Sequence, residues 1–70
     1  MNVEKYIVDI KIKLKEQGYA GKLIDYQELQ ELYKQYGKGM GERHFAQEVL
    51  GLSYANYMNM KNKGTRGRIL

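Results

Sequence analysis

Glycine cuts this chain into pieces of helical length. Gly18 and Gly21 make one break, Gly37, Gly39 and Gly41 a second, Gly51 a third and Gly64 a fourth, and there is no proline to share that role. Glycine is a poor residue for a helix interior and a common one just past a helix end. The spacing predicts four helices, over about 3–17, 26–36, 42–50 and 54–62, in a single domain spanning residues 1–70. The fold class expected is all-α: a compact four-helix domain ending in a short basic tail, 63–70.

What holds such a domain together is narrowly limited. Seventy residues is near the size at which a core of apolar side chains alone suffices. The chain has no cysteine and one histidine, His44, which rules out disulfides, thiolate sites and the usual zinc ligand sets. No metal and no cofactor is expected. Packing, a partner, or both must provide the stability.

The apolar pattern supports the helices one by one. Val3, Tyr6, Ile7, Ile10 and Leu14 recur at spacings of three and four, with Asn2 placed to cap the start and Gly18 to stop the end. The stretch V-D-I-K-I-K-L-K from Val8 to Lys15 also alternates as a half-buried strand would. The longer run from Val3 to Leu14 favours helix, and leaves Val8 and Ile12 off the main stripe. Asp25 followed by Glu28 fits a capping box, and the helix it opens carries Tyr26, Leu29, Leu32, Tyr33 and Tyr36 on one side. Three glycines within residues 37–41 read as a flexible connection. Phe45, Ala46, Val49 and Leu50 face inward in the third helix, Leu52 plugs the core, and Ser53 caps a fourth helix seated by Tyr57 and Met60. Residues 65–70 are either disordered or a short strand.

Charge is uneven along the chain. Residues 1–36 carry six basic and six acidic side chains, whereas residues 37–70 carry six basic and two acidic, with no acid after Glu48. A basic end on a neutral body suits a polyanionic partner, although a basic stretch also serves simply to keep a chain in solution. The lack of proline and tryptophan, with abundant lysine, isoleucine and tyrosine, suggests an AT-rich bacterial or phage genome.

The run Phe45-Ala46-Gln47-Glu48-Val49-Leu50-Gly51-Leu52-Ser53, continuing to Tyr57 and Met60, resembles the phage-repressor-like helix-turn-helix over about 42–62. Phe45 and Val49 take the place of its core anchors, Ala46 of the small residue where the two helices cross, and Gly51 of the turn. Counted from Phe45 and Ala46, the turn glycine arrives one residue late, with Leu50 as the extra; counted from Gly51, Gln47 falls where a small residue is expected. A turn lengthened by one residue is the expected accommodation. The resemblance implies sequence-specific binding of double-stranded DNA by a small transcriptional, plasmid or phage regulatory protein, with the last helix in the major groove. The implied base contacts are Tyr54, Ala55, Asn56, Met58, Asn59 and Asn62, since asparagine pairs bidentately with adenine and an alanine methyl meets the thymine methyl. Three asparagines in one helix are unusual, as asparagine is a weak helix former away from caps. The implied phosphate contacts are Arg43, Gln47, Lys61, Lys63, Thr65, Arg66 and Arg68.

Other classes have less behind them. No nucleophile–base set and no phosphate loop followed by Lys-Ser/Thr is present, so no catalytic residue and no small-molecule substrate is expected. His44 reads as solvated surface, the scattered carboxylates as solvated helix faces, and the tyrosines mostly as core. The rival reading is a helical protein-interaction module, supported by the first helix being apolar on more than one side. RNA binding comes third. A lone helix-turn-helix makes few base contacts, so a homodimer through residues 3–14 is expected. The start, Met1-Asn2-Val3-Glu4-Lys5, carries an acid early and lacks a leader's apolar run, and no stretch approaches a membrane span, so a cytoplasmic location is expected.

Overall fold

A computed structural model of the chain describes residues 3–70, with side chains from Lys5 onward. Asn2 as a cap and the Val3 side chain lie outside the described residues. The first helix, α1 (Val3–Glu16), resolves the helix–strand ambiguity. A strand would put residues 8, 10, 12 and 14 on one face. The chain instead buries Ile10 and Leu14 and leaves Val8 and Ile12 about half exposed, at 51% and 49%. Ile7 packs partly against the same core. Gly18, in the left-handed region at φ 88°, ends the helix, and the Tyr19 N–H closes it by donating to the Leu14 carbonyl at 3.0 Å.

A two-residue strand, β1 (Leu23–Ile24), leads into α2 (Tyr26–Tyr36). Asp25 caps α2, its Oδ1 accepting from the Glu28 N–H at 2.9 Å. A cap of this kind contributes about 1 kcal/mol. The Glu28 carboxylate itself lies 3.8 Å from Lys22 Nζ, an exposed pair of small energetic weight. Leu29 and Leu32 are buried, with Tyr26, Tyr33 and Tyr36 packed partly against the core, as the stripe predicts.

In the glycine-rich segment after α2, Tyr33 braces the turn at two points. Tyr33 donates its hydroxyl to the Met40 carbonyl at 2.6 Å and sets its ring edge-on against Phe45, with centroids 5.7 Å apart. That ring lies against Gly37, where a methyl would collide with it and come within 2.9 Å of the Tyr33 carbonyl oxygen. Glycine serves here for close approach, not for an unusual φ.

The next helix, α3 (Glu42–His44), continues directly into a π-helical turn over Phe45–Val49. The Leu50 N–H bonds five residues back to the Phe45 carbonyl at 3.2 Å, and the Leu52 N–H reaches the Ala46 carbonyl at 3.0 Å. The helix itself thus widens by one residue between Phe45 and Leu50, ahead of the turn at Gly51. A π-turn is the form in which a helix accommodates one added residue. Phe45, Ala46, Val49 and Leu50 are all fully buried. Gly51, at φ 74°, then turns the chain, and Ser53 caps α4 (Tyr54–Lys63), its Oγ accepting from the Asn56 N–H at 3.1 Å. Gly64, also left-handed, closes α4.

The C-terminal residues form a strand, β2 (Gly67–Arg68), antiparallel to β1 with Leu23 opposite Arg68 and Ile24 opposite Gly67. The expected all-α domain is therefore mostly helical with a minor two-stranded sheet. The pairing extends beyond the strand: Gly21 N–H donates to the Ile69 carbonyl at 2.8 Å, Ile69 N–H to Lys22 at 3.0 Å, and Leu70 N–H to Leu50 at 2.8 Å. Ile69 is buried in the core, so only part of the basic segment behaves as a surface tail. No helix among the described residues is long and apolar enough to cross a membrane.

Ile69 lies outside every helix yet is only 1% exposed. Ile69→Ala is expected to lower stability by about 2–4 kcal/mol through lost burial and a residual cavity. Val8→Ala, on the wet side of α1, is expected to change it by less than about 0.5 kcal/mol. Urea unfolding of the two variants checks both values.

Candidate nucleic-acid interface

Two side chains orient α4. Tyr57 and Met60 are buried, three residues apart, and turn one side of the helix into the core. The opposite side follows from the 100° step of an α-helix. Ala55, Asn59 and Asn62, spaced by four and three, form an exposed stripe along it. Tyr54 and Asn56, both exposed, stand at the leading end. Of the six residues expected to face a duplex, Met58 departs from the pattern. It is half-buried and packs against the core, because the side of α4 it occupies lies beside the body of the domain and not at the crest.

The residues expected on phosphates fall into two groups. Lys61, Lys63, Thr65 and Arg66 are exposed at and beyond the C-terminal end of α4. Arg68, also exposed, donates from Nη1 to the Gly21 carbonyl at 3.3 Å, which directs its guanidinium along the β1 side. Arg43 and Gln47 belong to the other end. Arg43 donates from Nε to Gln47 Oε1 at 3.2 Å, and its guanidinium carbon lies 4.5 Å from the centre of the Tyr54 ring. Tyr54 is thereby engaged in a stacking contact within the chain, and it ties the start of α4 to α3. His44 is exposed.

One carboxylate departs from the expectation of solvated helix faces. Glu42, the first residue of α3, accepts two hydroxyl hydrogen bonds on a single oxygen: Tyr26 donates to Oε1 at 2.6 Å and Tyr57 at 2.7 Å. The two rings meet edge-to-face with centroids 6.4 Å apart. Short O–H···O⁻ bonds of this kind are about twice as strong as neutral ones. Through them α2, α3 and α4 share one polar knot beneath the candidate surface. The Glu42 hydrogen bond, then burial, pushes the Tyr26 phenol above its ordinary value. For Tyr57 burial is the larger cause and the Glu42 bond the second, and the shift is again upward. Nothing in the spacing of residues 26, 42 and 57 signals this contact, since each lies on a different helix.

Compared with known protein families, with curated proteins and with solved structures, the chain matches none.

The knot has a pH signature. A tyrosine whose pKa is raised on folding contributes stability that is complete below its unfolded value, about 10, and is lost as pH rises through the folded value. Stability is therefore expected to hold up to about pH 10 and to decline above it. Glu42→Ala strands two hydroxyls and is expected to cost about 1–3 kcal/mol. In Glu42→Gln the charge is gone, so Tyr26 ionises closer to the ordinary range, whereas Tyr57, held up first by its burial, moves less. Titration of tyrosinate absorbance in the wild type, Glu42→Gln and Tyr57→Phe measures this, and unchanged late-titrating absorbance in Glu42→Gln would contradict the assignment.

Proposed function

We propose that the chain binds double-stranded DNA in a sequence-specific way through a helix-turn-helix over residues 42–62, with α4 as the helix that enters the major groove. The observation that carries this reading is the exposed, uncharged stripe Ala55, Asn59 and Asn62 on a helix anchored by buried Tyr57 and Met60. Exposed cations follow it directly, in a segment with no acid after Glu48. The major groove admits one α-helix, whose side chains meet base edges while flanking cations neutralise phosphates. Lys61, Lys63 and Arg66 have the exposure this role needs, and Arg43, steadied by Gln47 and Tyr54, supplies a guanidinium beside the leading end of α4. A small regulatory protein, of transcription or of a plasmid or phage, is the role that fits such a module.

Two copies on adjacent half-sites are part of the proposal, joined at least partly through residues 3–14. Val8 and Ile12, half exposed and one turn apart on the outer side of α1, support it. Two such side chains per copy fall well short of the roughly 1,200 Å² that stable interfaces bury. Pairing is therefore expected on the DNA, where both copies are already held, and not in free solution.

The test of duplex binding is electrostatic. Replacing Lys61, Lys63, Arg66 and Arg68 together by alanine is expected to weaken binding to all duplexes alike, and to reduce the salt slope by about one for each phosphate left without a cation. Titration of labelled duplex at several salt concentrations reads both. Undiminished affinity in the quadruple variant would remove the DNA reading and favour the protein-interaction alternative. Replacing Val8 and Ile12 by lysine is expected to leave the mass in solution unchanged and to abolish two-copy occupancy of a paired site, read by light scattering with and without DNA. A wild-type chain that occupies such a site only one-to-one would end the dimer proposal.

A further inference from the structure

We infer that the sequence read by α4 is a short run of A·T pairs, with Asn59 as the main specificity-determining residue, flanked by Ala55 and Asn62; this rests on the duplex-binding proposal above. Guanine is recognised in the major groove chiefly by arginine or lysine reaching O6 and N7, and cytosine by a carboxylate accepting from N4. The crest of α4 holds neither: its exposed residues are Ala55, Asn59 and Asn62, and no acid occurs anywhere after Glu48. What remains is asparagine, whose amide pairs bidentately with adenine N6 and N7, and alanine, whose methyl meets the thymine methyl.

The cations nearest this crest do not supply the missing guanine chemistry. Lys61 follows the buried Met60 and, at 100° per residue, projects on the core side of the helix flank, while Lys63 lies a quarter-turn or so from the crest. Arg43 is held sideways on Tyr54 and Gln47. Reach also limits the footprint. Ala55 and Asn62 are seven residues apart, about 10 Å along the axis, which matches about three base-pair steps. Base edges lie closest to the N-terminal part of such a helix, so Asn59, three residues nearer that end than Asn62, carries more discrimination than Asn62.

Selection of bound duplexes from a random pool, with the wild type, Asn59→Ala and Asn59→Arg, tests the inference. The wild type should enrich a core of three or four A·T pairs. Asn59→Ala should lose preference at one position by roughly tenfold or more, while affinity for random duplex stays within about twofold. Asn59→Arg should move that position toward guanine. Asn59 is exposed, so circular dichroism should match the wild type in both variants. A G·C-rich core, no enriched core, or the same core in all three proteins overturns the inference while leaving duplex binding in place. Failure of the wild type to retain any duplex at low salt overturns both.

Discussion

The segment Phe45–Val49 winds with a hydrogen bond to the fifth residue back, and the surrounding structure is arranged upon it. Its apolar residues Phe45, Ala46 and Val49, with Leu50 after them, are sealed from water, and α1 and α4 both pack against it. Tyr33 rests on Phe45, the Leu52 amide returns to Ala46, and the last residue of the chain bonds to Leu50. A regular α-helix through the same residues would turn the following positions by about 100° for the one residue in excess. Gly51, Leu52 and Ser53 would then leave the helix in another direction, and α4 would not meet the core through Tyr57 and Met60. The wider turn keeps both the buried side of residues 45–49 and the exit of the chain.

Against this apolar hub the polar knot of Glu42, Tyr26 and Tyr57 plays a different part. Hydrophobic contact is non-directional and tolerates rotation of one helix on another. A carboxylate oxygen shared by two hydroxyls from two other helices tolerates little. The Arg43 stack on Tyr54 and its bond to Gln47 add a second, more exposed fastening at the same end. In a domain of this size without a disulfide, orientation is set by such few polar contacts and quantity of stability by the core.

Much of this was legible in local pattern. Asp25, Ser53, Gly18, Gly51 and Gly64 mark helix ends by mechanisms that act within a few residues, and each stands where that mechanism puts it. The stripe on α2 and the inward face of residues 45–50 follow from periodicity in the same way. The surplus residue at Leu50 was visible as an irregularity of spacing, though the spacing alone does not say whether a turn or a helix absorbs it. Contacts across the chain were not legible. Glu42 reads as one more surface acid until Tyr26 and Tyr57 are brought to it, and Ile69 reads as tail until β2 pairs with β1. Periodicity puts Met58 on the wet side because a helical wheel knows only its own helix and not the neighbour beside it.

The strand pair makes one more property of the molecule intelligible. By joining residues 23–24 to 67–68, it closes a ring of chain that contains α2, α3, the π-turn and α4. Closing so long a loop is entropically unfavourable, though the cost grows only slowly with length. In return α4 is tethered at both ends: to the Gly51 turn behind it and, through Gly64 and β2, to the loop after α1 in front. A helix held at one end sweeps a cone, whereas one held at both ends keeps its bearing. Whatever meets the outer face of α4 therefore meets a surface whose orientational disorder has already been removed, and less conformational freedom remains to be surrendered on association.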